Sequence, residues 1–174
     1  MGGYAKIPKI YSMRDRLAIG LMMATGLRRE EAASIQFTDV VKQNQRAVLN
    51  VKGKGAKYRV VPINKNLAEA IVDWGFLIGT DGLILRSLGR NSVPGNSIST
   101  PGLYNIVQKR GRMIGKPELQ PHDLRRTYAE LGRRAGVSIG QISKLLGHAS
   151  IETTQDYLNI ELDLEITISD FVPF

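Results

Sequence analysis

Residues 46–63 read RAVLNVKGKGAKYRVVPI. Apolar and β-branched residues fill both ends, RAVLNV over 46–51 and YRVVPI over 58–63, and two glycines set among lysines fill the middle. This pattern predicts two short antiparallel strands joined by a turn, a β-hairpin with Lys54 at its basic tip. The rest of the chain reads as helix. Before the hairpin, Ser12 is placed to cap a helix that runs to Thr25-Gly26, with Leu17, Ala18, Leu21 and Met22 at helical spacing. Gly26 suits its C-cap. A shorter helix is expected from Arg28 to Gln36, broken by Thr38 and Asp39.

After the hairpin, Asn64 suits the N-cap of a helix whose apolar side holds Leu67, Ala70, Ile71 and Trp74. Residues 86–100, RSLGRNSVPGNSIST, are rich in Ser, Gly and Asn and predict a mobile loop without an element of its own. Helix resumes near Pro101 and ends among Lys109, Arg110, Arg112 and Lys116. Another spans 121–135, with Leu124, Tyr128 and Leu131 on its apolar side and Gly136 as its stop. Ser138 opens the next, with Ile139, Ile142, Leu145 and Leu146 inward and Gly147 at its end. Ser150 caps a last helix to about Leu158. In residues 161–174, Ile166, Ile168 and Phe171 give strand-like alternation. About seven helices around one hairpin make a mainly α domain with a small antiparallel β-hairpin or sheet.

The chain has 174 residues, 43% of them hydrophobic, and no cysteine. That length builds one domain with a sizeable core and excludes wholesale disorder. The absence of cysteine excludes a disulfide scaffold, a Cys-ligated zinc site and thiol catalysis. No apolar run reaches the roughly 20 residues that span a bilayer. Met1-Gly2-Gly3-Tyr4 lacks the charged and apolar regions of a signal peptide. With 24 Lys+Arg against 16 Asp+Glu, the formal charge is +8. Such a balance favours a polyanionic partner, nucleic acid first and an anionic membrane surface second.

No phosphate-binding glycine loop, zinc-protease motif or dinucleotide fingerprint occurs. The two histidines lack a Cys or carboxylate cluster to complete a metal site. What remains is a set of cations, two histidines and a tyrosine at element edges. Arg28 opens a helix, and Lys54 sits on the turn. His122 and Arg125 share a helix face. His148 follows a helix end, and Tyr157 lies on the last helix. Each has an ordinary reading: an Arg28–Glu31 ion pair, a hairpin lysine that blunts an edge, a helix-capping His122, a solvated Arg125-Arg126 face, a packed tyrosine. Together they form an inventory for metal-free phosphoryl transfer. Arginines clamp phosphate oxygens, histidines donate or move protons, and a phenolate attacks.

Four stretches carry a resemblance. They are Thr25-Gly26-Leu27-Arg28-Arg29-Glu30-Glu31, residues 53–62 (GKGAKYRVVP), Pro121-His122-Asp123-Leu124-Arg125-Arg126-Thr127, and residues 145–157 (LLGHASIETTQDY). In order and separation they resemble the catalytic domain of the tyrosine recombinases, the phage-integrase family, over about residues 11–158. The resemblance implies that family's α+β catalytic fold and a site-specific recombinase that breaks and rejoins DNA through a 3′-phosphotyrosyl link, without metal, ATP or other cofactor. It implies that Arg28 and Arg125 hold the scissile phosphate and that Lys54 is the general acid for the departing 5′ oxygen. His122 assists proton transfer or positions the phosphate, His148 hydrogen-bonds a non-bridging oxygen, and Tyr157 is the nucleophile. Glu31 supports the site.

By the same resemblance, residues 1–160 form the catalytic domain and 161–174 a tail that docks in cis or in trans. The family's N-terminal helical clamp is missing from this chain. The expected partners are double-stranded DNA and further copies in a tetramer, with no membrane, in the DNA-associated cytoplasm. One departure is Arg126, where family members often carry His. Two other readings compete. Residues 138–157 alone would suit a non-catalytic helix-turn-helix-like DNA-binding module, and the same chemistry would suit type IB topoisomerase-like nicking and resealing.

Overall fold

The computed structural model describes residues 9–160 except 54, 56 and 90. Its first helix, α1 (Lys9–Thr25), is already formed three residues before Ser12, which therefore lies inside the helix and does not cap it. The reason is packing: Ile10 and Met13 extend the apolar stripe of Leu17, Leu21 and Met22 toward the N-terminus. α1 packs against α2 (Arg29–Ser34), α3 (Lys65–Ile78), α4 (Thr100–Met113) and α5 (Pro121–Arg134). Full burial of each such leucine stabilises by about 1.5–3 kcal/mol. α2 stops at Ser34 because Ile35 is already extended.

The hairpin is present, and a third strand joins it. β1 (Val40–Gln43), β2 (Arg46–Lys52) and β3 (Tyr58–Pro62) form an antiparallel sheet in chain order, with Val40 opposite Leu49 and Leu49 opposite Val61. The turn between β1 and β2 is made by Asn44 and Gln45, both at positive φ. Leu49, Val51 and Val61 turn inward onto the helices. Asn64 caps α3 as expected, its Oδ1 accepting from the Leu67 amide at 2.9 Å. Trp74, Leu67 and Ile71 form the buried face of α3, and Trp74 Nε1 donates to Ile84 O at 2.8 Å.

Residues 86–100 carry no helix or named strand until Thr100. They are nonetheless folded on themselves: Ser87 N donates to Ser97 O, Gly95 N donates to Ser87 O, and Tyr11 Oη donates to Gly89 O. Buried Ile98 anchors this loop to the core. Ser99 then caps α4, with Pro101 in the first turn. At the far end of α4, Arg110 is not a free cation, because its Nε binds Oδ2 of buried Asp15 at 2.9 Å.

On α5, Leu124 and Tyr128 face inward as expected, but Leu131 does not. Leu131 is 54% exposed, whereas Leu124, Arg125 and Ala129 are buried. α6 (Ile139–Leu146) and α7 (Ile151–Tyr157) complete the described chain, each capped by a serine hydroxyl, Ser138 and Ser150. Ala129, Ile142, Leu146 and Leu158 form a second, small apolar cluster apart from the main one, which holds Leu124. The tail 161–174 and Lys54 lie outside the described residues.

Candidate active site

Two glycines shape the site. Gly26 (φ +64°) ends α1 and Gly147 (φ +64°) ends α6, both in the left-handed conformation. Each turns a nearby carbonyl toward the same point. Arg125, only 3% exposed, donates from Nη1 to Gly26 O and from Nη2 to Leu146 O, the latter at 2.7 Å. The negative ends of two helices thus hold a buried guanidinium that has no carboxylate partner among the described residues. Burial, then repulsion from Arg28, lowers its pKa to about 10, so it stays charged at neutral pH.

Arg28 leaves the end of α1 to become the N-cap of α2, with its side chain 42% exposed. Its amide donates to Glu31 Oε2 at 2.8 Å, and its Nη1 lies 3.3 Å from Glu31 Oε1. The ordinary ion-pair reading of Arg28 is therefore also present, on the side facing the protein. Glu31 is 6% exposed. Burial alone would raise its carboxyl, but the hydrogen bonds from Arg59 and from the Arg28 amide, with both charges, hold it below the ordinary value.

Arg59 was not among the residues singled out from the sequence. Its Nη1 and Nη2 meet Glu31 Oε1 and Oε2, each at 2.8 Å, and its Nε donates to Leu145 O at 2.8 Å. It passes over Gly147, where an added Cβ would lie 3.1 Å from Arg59 Cδ. Tyr58 and Val60 on either side of it are exposed, so strand alternation turns Arg59 to the same side as buried Val61. That alternation in YRVV was the available signal.

His148 follows Gly147 directly. Its Nδ1 lies 2.8 Å from Thr154 Oγ1 on α7. Burial first, then the charges of Arg125, Arg28 and Arg59, press its pKa down to about 4, so the ring is neutral at pH 7. The Tyr157 ring sits edge-on between the two imidazoles, 5.3 Å from His122 and 5.6 Å from His148. Its hydroxyl donates to His122 O over a long 3.5 Å. Burial raises the phenol pKa against the pull of Arg125, so a base is needed to remove its proton.

Arg28, His122, Arg125, His148 and Tyr157 line one cleft of 460 Å³. A groove of 1090 Å³, with Lys52, Lys57, Arg59 and Lys144 on its walls, shares Arg28 and His148 with it. Five of the six residues expected to be catalytic therefore come together, with Glu31 behind them. Among the described residues no cluster of three or more His, Asp or Glu side chains forms a metal site, and no helix is long and apolar enough to cross a membrane.

The family model described as the phage integrase family matches residues 4–162. The chain belongs to the phage integrase family. Among its curated relatives, the tyrosine recombinase XerC of Corynebacterium efficiens is 31% identical over 161 residues, covering 92% of this chain and 51% of that protein. XerC of Thermodesulfovibrio yellowstonii is 31% identical over 169 residues, covering 93% and 55%. This phage integrase family chain spans about half the length of the curated relatives it matches. The integrase-family fold recurs in the XerH site-specific recombinase solved with its difH substrate, with a TM-score of 0.75, 24% identity, and 92% of this chain and 46% of that one covered. It recurs also in a lambda integrase dimer solved on a COC′ core site, with a TM-score of 0.63, 21% identity and coverage of 92% and 60%.

Proposed function

We propose that this chain is the catalytic domain of a tyrosine-type site-specific DNA recombinase, acting on double-stranded DNA in the cytoplasm without metal, ATP or other cofactor. The observation that carries this reading is the position of Tyr157 between His122 and His148, in one cleft with two arginines. Arg125 meets one face of the phosphate with N–H donors that have no protein acceptor among the described residues, and Arg28 meets another. Their charges offset the negative charge that grows on the non-bridging oxygens in the transition state.

Tyr157 Oη attacks phosphorus as His122 takes its proton. The new bond is a 3′-phosphotyrosyl ester, and the phosphorus–O5′ bond breaks. Lys54, which falls between β2 and β3 in the sequence, gives a proton to the departing 5′ oxygen. His148 donates a hydrogen bond to a non-bridging oxygen. The ester keeps the phosphodiester energy, so a second 5′-hydroxyl attacks it, displaces Tyr157 and reseals the strand. The groove with Lys52, Lys57 and Lys144 supplies sequence-independent contacts to the flanking backbone.

In this reading residues 1–160 carry the chemistry. The tail 161–174 docks in cis or on a neighbouring copy, and copies assemble as a tetramer on DNA. Deleting 161–174 without changing self-association or activity on DNA would remove the tail from the scheme.

The test of the chemistry is covalent trapping. A pooled duplex library with nicks lets the cleaved strand diffuse away, so the intermediate accumulates as an adduct that survives detergent. The wild-type chain is expected to form it and Tyr157→Phe is not. No adduct, with equal and salt-sensitive DNA binding by both proteins, would favour either a DNA-binding module or a catalytic domain that needs a family-type N-terminal domain, and no adduct after adding such a domain would overturn the catalytic reading.

A further inference from the structure

Thr154 is buried with 0% exposure, and its hydroxyl reaches the ring of His148. Among the described residues its only side-chain hydrogen-bond partner is His148 Nδ1, at 2.8 Å. A threonine inside a helix often turns its hydroxyl back to the carbonyl four residues earlier. Here that carbonyl is Ser150 O, which accepts from the Ser143 hydroxyl at 3.2 Å instead. The Thr154 proton therefore has one acceptor, the imidazole nitrogen. Were Nδ1 to carry the ring proton and donate to Oγ1, the threonine proton would be left buried without a partner, which costs about 1–3 kcal/mol. The opposite arrangement satisfies both groups.

We propose that Thr154 is a positioning residue that fixes the tautomer of His148, holding Nδ1 bare as an acceptor and placing the ring proton on Nε2, where it is offered to an anionic oxygen in the cleft. This rests on the proposed function for the identity of that oxygen. The groups around the ring agree with it. Arg28 at the start of α2, Arg59 on β3 and Arg125 on α5 face His148 as cations, Glu31 is occupied by Arg28 and Arg59, and Tyr157 on α7 packs edge-on. The three cations oppose a second proton on the ring. One nitrogen must then be bare, and a bare Nε2 would repel the very oxygen it has to hold. A hydrogen bond from a neutral hydroxyl selects the nitrogen without adding charge, unlike the carboxylate that often orients a histidine.

Histidine occurs only twice in the chain, so histidine-selective nitrogen labelling gives two imidazole spin systems, and a His122→Gln sample assigns them. In the wild-type chain at pH 7, His148 is expected to show a bare Nδ1 and a protonated Nε2. Thr154→Val keeps the branched shape and removes the hydroxyl. It is expected to mix the tautomers and to slow adduct formation on nicked duplex about tenfold to a hundredfold, the range for losing a histidine's outer partner. Thr154→Ser is expected to restore both.

A wild-type proton on Nδ1 overturns the proposal whether or not any variant folds. So does an unchanged tautomer in Thr154→Val, or a changed tautomer with an unchanged adduct rate. If the tautomers respond as expected but no protein, wild type included, forms an adduct even with a family-type N-terminal domain added, the hold of Thr154 on the ring stands and the catalytic reading falls.

Discussion

Arg59 and Glu31 meet as a two-point pair, Nη1 on Oε1 and Nη2 on Oε2, each at 2.8 Å, although β3 and α2 are separate in the chain. The same guanidinium bonds the end of α6 through Leu145 O. One side chain thus links β3, the helix that Arg28 opens, and the turn that presents His148. Arg59→Ala leaves Glu31 buried with Arg28 as its remaining cation. Removing one member of a buried pair costs about 3–5 kcal/mol. Urea denaturation is expected to show a loss of that order, and Arg59→Lys to recover it only in part, because an ammonium cannot pair at two points.

Gly26→Ala tests the carbonyl that holds Arg125. An alanine Cβ there would lie 2.6 Å from Tyr128 Cδ1 and 2.8 Å from Leu146 Cδ2, on a backbone at φ +64°. Gly136 has a similar backbone, φ +79°, with nothing within 4 Å of its added Cβ. Gly136→Ala is therefore expected to cost only the left-handed strain, about 1–2 kcal/mol. Gly26→Ala is expected to cost clearly more by thermal or urea unfolding, and to reduce adduct formation as well. Equal costs would mean that the neighbours of Gly26 yield freely.

The pH dependence of stability has a definite sign. Unfolded, His148 takes a proton near its ordinary 6.5; folded, it waits until about 4. Between those values the unfolded chain binds more protons, so stability falls as pH falls. Glu31, held below its ordinary 4.5, acts in the same direction at lower pH. Urea midpoints measured from pH 7 to pH 4 are expected to decline, and His148→Gln to flatten the part between 6.5 and 4. A midpoint that rises on acidification would contradict the burial of a neutral imidazole.

Tyr157→Phe is expected to leave the fold almost untouched. The lost hydroxyl makes one long hydrogen bond, 3.5 Å to His122 O. Its removal changes stability by less than about 0.5 kcal/mol. Matching melting curves for the two proteins would make loss of the adduct a chemical effect.

Asp15→Asn probes the scaffold away from the cleft. Asp15 is buried and binds Arg14 Nε at 2.7 Å and Arg110 Nε at 2.9 Å. Neutralising it leaves two cations short of their partner, with an expected loss of about 3 kcal/mol. Adduct formation per folded molecule, measured well below the melting temperature, is expected to persist.

Much of this was legible in the sequence because short-range chemistry decides it. Asn64, Ser99, Ser138 and Ser150 cap helices with their own side chains, and Gly26 and Gly147 end helices where the pattern places them. Of these caps, Ser99 was not singled out, the helix start being placed only near Pro101. β1 went unseen because VVKQ is short and half polar, and its turn, Asn44-Gln45, adopts positive φ without a glycine to announce it. Leu131 was misplaced because tertiary contact overrode periodicity: α5 spends an inward position on Arg125, which two distant carbonyls satisfy. Arg59 and Thr154 are significant only through partners far along the chain or around a turn, and spacing cannot report that.

The two apolar clusters have a consequence for how the molecule comes apart. Arg28 and the Glu31 carboxylate that braces it are rooted beside the large cluster, whereas Tyr157 rides on a seven-residue helix whose only buried member is Thr154. That helix leans on the small cluster of Ala129, Ile142, Leu146 and Leu158. α5 belongs to both, through Leu124 and Ala129, with Arg125 between them. Little apolar surface must be uncovered to free α7, so its opening is a local event that costs far less than global unfolding. Hydrogen exchange is expected to be faster in α7 than in α1 and α2. In the proposed reaction, such an opening would withhold or present Tyr157 while Arg28 stays in place.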